Sequence, residues 1–247
     1  MTWKNEFATS ENPLKQYFAK NEENLINKWL HYFDIYHKYF QNYRGEAVTV
    51  VEFGVFHGGS LRMWKDYFGE KARIYGIDID PRCKQFEESQ IEILIGDQQN
   101  REFLRTVRER AGSIDILIED GGHKPKQQIA TFEEMFPAVA AGGVFLIEDL
   151  HTSYWNEYDG GYKRTGTYIE YAKNLLDKMH AWHSREKTLT IDYYTKHIKA
   201  MHMYDSVIVF EKAEVPRPEV HEVGKPILTF DEPKTRPQGL LQRIFKN

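Results

Sequence analysis

Residues 47–60 read AVTVVEFGVFHGGS, a short apolar, β-branched run that ends in a glycine-rich turn. Such residues favour a pleated, extended backbone, and glycines after a strand let the main chain approach a ligand closely. Four further runs have the same form: ARIYGI at 72–77, IEILI at 91–95, IDILI at 114–118 and GVFLI at 143–147. Helical stretches lie between them. REFLRTV places Phe103, Leu104 and Val107 on one face, and QQIATFEEMFPAV does so with Ile129, Phe132, Phe136 and Val139. Apolar strands alternating with amphipathic helices predict an α/β fold, a parallel sheet with helices on both faces. Eleven of the 17 glycines fall between Gly54 and Gly143, mostly at strand ends. The carboxyl ends of such strands are where α/β sheets bind ligands.

Outside this block the pattern changes. Asn12-Pro13 predicts a helix start. From about residue 22, Ile26, Trp29, Leu30, Phe33, Tyr36 and Phe40 recur at helical spacing up to Gly45. They predict one amphipathic helix packed on the domain or on a second subunit, and a homo-oligomer is expected. Residues 151–166 read as a long polar-aromatic loop, followed by a helix carrying Ile169, Ala172, Leu176 and Met179. IKAMHMYDSVIVFEK at 198–212 predicts two strands reversing at Asp205-Ser206, and five of the nine prolines follow residue 213. The expected division is a helical segment over 1–45, an α/β domain over 46–212 and a Pro-rich tail over 213–247 with a short helix at LLQRIF.

Composition narrows the function. The 247 residues are 28 % charged and 41 % hydrophobic, an ordinary globular balance. Lys plus Arg is 33 against 37 for Asp plus Glu, a formal charge of −4, which disfavours general nucleic-acid binding. The single cysteine, Cys83, excludes an intrachain disulfide and a multi-cysteine zinc site. No apolar run is long enough to span a bilayer, and MTWKNEFATSENP at the N-terminus has no signal-peptide character. A cytoplasmic protein with neither nucleic acid nor membrane as partner is expected.

The turn after the first strand is Glu52-Phe-Gly54-Val-Phe-His-Gly58-Gly59-Ser60, not the G-x-G-x-x-G of dinucleotide folds. A carboxylate two residues before the first glycine suits an amine-bearing ligand better than a pyrophosphate. S-adenosylmethionine, with an ammonium, a sulfonium and no phosphate, is such a ligand. Asp78 ends the second strand, where a carboxylate commonly accepts ribose hydroxyls. Asp97, followed by Gln98 in the GDQ after the third strand, is placed to meet an adenine amino group. Glu119-Asp120-Gly-Gly-His123 follows the fourth strand and Glu148-Asp149 the fifth. Neighbouring strand ends let Asp120, Glu148 and Asp149 converge, and clustered carboxylates call for a cation. All-oxygen ligation favours Mg²⁺ or Mn²⁺ over zinc. His123 can aim its imidazole at a substrate oxygen and take its proton, the general base that an aliphatic hydroxyl needs for methyl transfer.

VVEFGVFHGGSL, YGIDIDP, GDQ, ILIEDGGHKPKQQIATFEEMFP and GGVFLIEDLHTSYW together resemble the metal-dependent sugar O-methyltransferases of macrolide and related antibiotic pathways. This family includes the mycinamicin, macrocin and rhamnosyl O-methyltransferases and proteins labelled cephalosporin-hydroxylase-like. The match covers roughly residues 48–212, and D-G-G-H with the later E-D-L is its most specific part. The resemblance implies the class I methyltransferase, Rossmann-like, seven-stranded sheet with a reversed last strand. It implies Asp120, Glu148 and Asp149 as metal ligands and His123 as general base. Around S-adenosylmethionine it implies Glu52, Gly54, Ser60, Asp78 and Asp97, and Gly58, Gln98 and Asp120 are expected beside them. Two departures show. About 45 residues precede the first strand, too few for the auxiliary domain of the mycinamicin enzyme. Glu119 stands where many relatives are expected to carry aspartate.

The aromatic residues after the fifth strand, Tyr154 and Trp155 among them, suit the faces of sugar rings. The expected substrate is a small-molecule glycoside or saccharide. A catechol or phenol O-methyltransferase is the nearest rival, but those enzymes usually carry a lysine where His123 stands. A nicotinamide oxidoreductase is disfavoured by the glycine spacing, and a non-catalytic adenosyl-binding partner protein by Asp120, His123, Glu148 and Asp149.

Overall fold

The computed structural model describes residues 2–229. Of these, residues 2–216 form one compact unit, and residues 217–229 belong to a second. In the first, the five sequence runs become parallel strands β1 (Thr49–Phe53), β2 (Arg73–Asp78), β3 (Ile91–Ile95), β4 (Ile114–Glu119) and β5 (Val139–Ile147). Strands β6 (Ile198–Tyr204) and β7 (Val207–Lys212) reverse at Asp205-Ser206 as expected, and β7 pairs antiparallel with β5 and β6. The sheet order is β3-β2-β1-β4-β5-β7-β6. This seven-stranded, mostly parallel sheet with one reversed strand is the class I methyltransferase fold. The expected LLQRIF helix lies outside the described residues.

The strand pleat sorts the core into two faces. Val50, Ile74, Ile93, Ile116, Ile118 and Leu146 point to one side. There they meet α1 (Trp3–Ala8), α2 (Pro13–Lys20), α3 (Tyr32–Phe40) and α4 (Gly59–Phe68). Val51, Phe53, Ile77, Leu117, Phe145 and Phe210 point to the other, against α5 (Arg101–Ala111), α6 (Pro125–Met135) and α7 (Tyr168–Met179). A further short helix, α8 (Tyr193–His197), leads into β6. Helix α2 starts where Asn12-Pro13 predicts, with the Asn12 side chain accepting the Leu14 N–H.

The N-terminal segment differs from its expected form. The helix predicted from about residue 22 begins only at Tyr32, and residues 21–31 cross the molecule outside helix and strand. Ile26 is buried, whereas Trp29 and Leu30 are exposed, so their spacing imitates a helical face without forming one. Two further contacts bear on the site. The carbonyls of Asn24 and Leu25 rest on Gly59, where a Cβ would lie 2.5 and 2.4 Å from them. The Lys28 side chain runs inward to the strand ends.

Candidate active site

The strand order reverses its direction of growth between β1 and β4, so the chain diverges there and leaves a crevice at their carboxyl ends. A cavity of about 680 Å³ fills it. Gly54 lies at the junction with φ +92°, its Cα against the Asp120 carbonyl. One half of the cavity is walled by the turns after β1, β2 and β3, including Gly54, Ser60, Asp78, Asp97 and Gln98. The Asp78 carboxylate accepts the N–H groups of Val55 (2.9 Å), Phe56 (3.1 Å) and Asp80 (2.9 Å), which fixes its position. Asp97 accepts the Gln99 N–H. Gln98 is buried; its amide donates to Glu119 (2.7 Å) and accepts the Gly122 N–H (2.9 Å), tying the β3 turn to the β4 turn. Phe56, at φ +52°, and Ile79 are exposed apolar side chains on this wall.

Glu52 and Gly58 do not line the cavity. The pleat of β1 turns Glu52 toward α4, where its wholly buried carboxylate accepts Ser60 Oγ (2.6 Å) and Trp64 Nε1 (3.0 Å). It meets the cavity wall only indirectly, through Ser60 and through Lys28, 3.8 Å away. Gly58, at φ +74°, supports the turn and packs under the Phe86 ring.

In the other half, Asp120, His123 and Asp149 each offer a ligating atom, and these atoms lie within 4.8 Å of one another. His123 and Asp149 both hold left-handed backbone, φ +55° and +57°. Non-glycine residues seldom adopt it and it costs of order 1–3 kcal/mol, a strain that gathers at functional sites. His123 Nε2 stands 3.5 Å from Asp149 Oδ2 and 4.0 Å from Asp120 Oδ1, and its buried Nδ1 has no hydrogen-bond partner. Burial lowers the pKa of the imidazole, against the pull of Asp149 and Glu148, so the neutral form is favoured.

Glu148 is wholly buried and is engaged elsewhere: Lys28 Nζ binds Oε1 and the Tyr36 hydroxyl binds Oε2. Lys28 also binds Asp120 Oδ2 and lies 3.8 Å from Glu52, while Tyr32 donates to Asp149 Oδ1 at 2.8 Å. Burial pushes Asp120 up to about 7 and Glu148 up to about 8, in spite of Lys28. Burial works against the Lys28 charge, but Asp120, Glu148 and Glu52 outweigh it and hold its pKa well above the usual value. Burial thus holds protons on these acids; once they ionise, one ammonium cannot neutralise Glu52, Asp120, Glu148 and Asp149 together, and the donor set fits a divalent cation. Lys28, Tyr32 and Tyr36 are the site residues that sequence reasoning missed.

Tyr154, the last residue of a short 3₁₀ turn, and Trp155, the extended residue after it, are half-exposed outside the cavity wall. Aromatic contacts connect Trp155 to the site: His151 at 4.6 Å on one side, and Tyr158 at 6.0 Å, itself 6.2 Å from His123, on the other.

The sheet is that of the class I methyltransferase fold, and residues 51–150 match the family described as a methyltransferase domain. The motif resemblance extends to particular relatives. The chain is 38 % identical over 164 residues to 8-demethyl-8-alpha-L-rhamnosyl tetracenomycin-C 2'-O-methyltransferase of Streptomyces olivaceus, across 62 % of this chain and 43 % of that protein. It is 35 % identical over 202 residues to demethylmacrocin O-methyltransferase of Streptomyces fradiae, across 76 % and 51 %. Among solved structures, it is similar to the methyltransferase of the mycinamycin biosynthetic pathway in complex with Mg, SAH and mycinamycin VI. That match has a TM-score of 0.71 and 31 % identity, over 86 % of this chain and 54 % of that one. The chain thus spans about half the length of these relatives. Among the described residues no helix is long and apolar enough to cross a membrane.

Proposed function

We propose that the chain transfers a methyl group from S-adenosylmethionine to a sugar hydroxyl of a glycosylated natural product or saccharide, assisted by Mg²⁺ or Mn²⁺. The observation that carries this reading is the meeting of Asp120, His123 and Asp149 within 4.8 Å, on the wall of a cavity that continues over the ends of β1–β3. The relatives' activity on rhamnosyl and macrocin substrates supports the sugar.

Gly54, Ser60, Asp78, Asp97 and Gln98 would bind the adenosyl donor, and Asp120, Glu148 and Asp149 the cation. When bound, the donor supplies an electrophilic methyl and the cation supplies positive charge beside the acceptor oxygen. His123 does the remaining work. Its neutral imidazole accepts the hydroxyl proton, and Asp149, 3.5 Å from Nε2, stabilises the imidazolium that forms. Asp78, fixed by three N–H groups, can accept ribose hydroxyls without rearranging. Tyr154 and Trp155 offer the faces on which an acceptor sugar would rest.

His123→Ala tests the assignment. Loss of a positioned general base lowers turnover by about 10²–10⁴, while calorimetric binding of S-adenosylhomocysteine stays as in the wild type. A variant that keeps the wild-type rate removes His123 from the mechanism. Binding of NAD in place of both adenosyl ligands removes the methyltransferase reading altogether.

A further inference from the structure

We propose that Lys28 is the resident cation of the carboxylate cluster, and that a divalent ion takes full hold there by displacing its ammonium and loosening the strap 21–31. This rests on the metal reading above and adds a residue that sets metal affinity.

The contacts force a choice. Glu148 has no free oxygen, because Oε1 is bonded to Lys28 and Oε2 to Tyr36. Asp120 Oδ2 is bonded to Lys28 as well. The ammonium already sits between Glu148 Oε1 and Asp120 Oδ2, the place an ion shared by these two carboxylates would take, so such an ion competes with it. The ligating atoms that already stand together, within 4.8 Å, belong to Asp120, His123 and Asp149.

Of the two groups on Glu148, Lys28 is the one able to leave. Tyr36 is inside α3, wholly buried, with its ring edge-on to Trp64 at 5.2 Å and stacked with Phe40 at 6.0 Å. Lys28 reaches the cluster along a flexible stem from a strap that lies outside helix and strand. Its neighbours Leu25 and Trp29 are exposed, and the strap rests on Gly59 through backbone carbonyls. The Lys28 ion pairs are one of the ties between strap and sheet, beside the buried Ile26, the Glu23–Arg62 pair and the His31 contact with the Asp205 carbonyl. They also keep the buried carboxylates partnered when no metal is present, since an unpaired buried charge is strongly destabilising.

The test uses Mn²⁺ as probe, with free ion counted by electron paramagnetic resonance, on metal-stripped wild type and Lys28→Gln. Removing a competitor worth about one charged hydrogen bond should tighten Mn²⁺ binding roughly 10- to 100-fold. A second measurement needs no variant: hydrogen exchange of amides 24–31 in the wild type should speed up when Mn²⁺ is added. Equal or weaker Mn²⁺ binding by Lys28→Gln, or strap amides that are unchanged or better protected with Mn²⁺, overturns the displacement and leaves the metal reading intact. Failure of both proteins to bind Mn²⁺ overturns that reading, and the displacement with it.

Discussion

Gly54→Ala probes the point where the two halves of the site touch. Gly54 has φ +92°, and a Cβ there would stand 2.0 Å from the Asp120 carbonyl oxygen and 2.8 Å from its carbon. The backbone conformation alone costs a non-glycine residue about 1–3 kcal/mol. The overlap is with main chain, so no rotamer change relieves it; the ends of β1 and β4 must part. That movement strains the bond from Asp120 N–H to the Phe53 carbonyl, 3.0 Å long, and adds roughly 1–3 kcal/mol. The sum, about 2–6 kcal/mol, corresponds to a melting temperature lowered by on the order of 10 °C in a chain of this size. Gly45→Ala is the control, because Gly45 also has positive φ, +78°, but nothing lies within 4 Å of its Cβ position. It should lose only the backbone part. Differential scanning calorimetry of both variants, with S-adenosylhomocysteine titration of the folded fraction, reads stability and binding together. If Gly54→Ala melts like Gly45→Ala and binds S-adenosylhomocysteine as the wild type does, the close approach is not a constraint on the site and the reasoning fails.

Asp149→Asn keeps a residue type that tolerates the left-handed backbone at φ +57°. Mn²⁺ affinity should fall at least about 10-fold, a loss typical even of groups around metal ligands, while S-adenosylhomocysteine calorimetry should be unchanged. Lys212 is buried and donates to the carbonyls of Phe136 (3.1 Å), Pro137 (2.8 Å) and Val139 (2.6 Å). Lys212→Met strands these acceptors and should cost about 2–5 kcal/mol in urea unfolding, with adenosyl binding of the folded protein retained. Burial raises the Asp192 carboxyl, but the Lys178 ammonium and the Thr195 N–H outweigh it, so its pKa lies below the usual 3.8. Its stabilisation is complete above that value and fades as pH falls through the folded pKa. Asp192→Asn should therefore lower stability by about 0.5–2 kcal/mol at neutral pH, and by progressively less in acid-unfolding measurements below pH 3.8.

The sheet was readable because each strand announces itself locally, through β-branched runs such as ILI at 116–118 bounded by glycines and acids. The ligand end was readable for the same reason: Asp78, Asp120 and Asp149 each end or follow a run. Glu52 shows what pattern alone conceals. It ends the first run, but the pleat that sends Val50 toward α4 sends Glu52 there too, away from the cavity. Lys28 was hidden more deeply. Its partners lie 92 and 120 residues along the chain, and its neighbours copy a helical spacing that the strap does not form. Tyr32 and Tyr36 read as members of an apolar face, and their rings do pack there. Only the fold places their hydroxyls on Asp149 and Glu148.

Metal-assisted methyl transfer to a sugar oxygen is tested by incubation with methyl-labelled S-adenosylmethionine and a mixture of rhamnosides and catechols, with the labelled carbon located in the product by NMR. The label should appear on a sugar hydroxyl, be lost in excess chelator and return with Mg²⁺. Label on the catechol oxygen, or transfer to sugar that is undiminished in chelator, would contradict it.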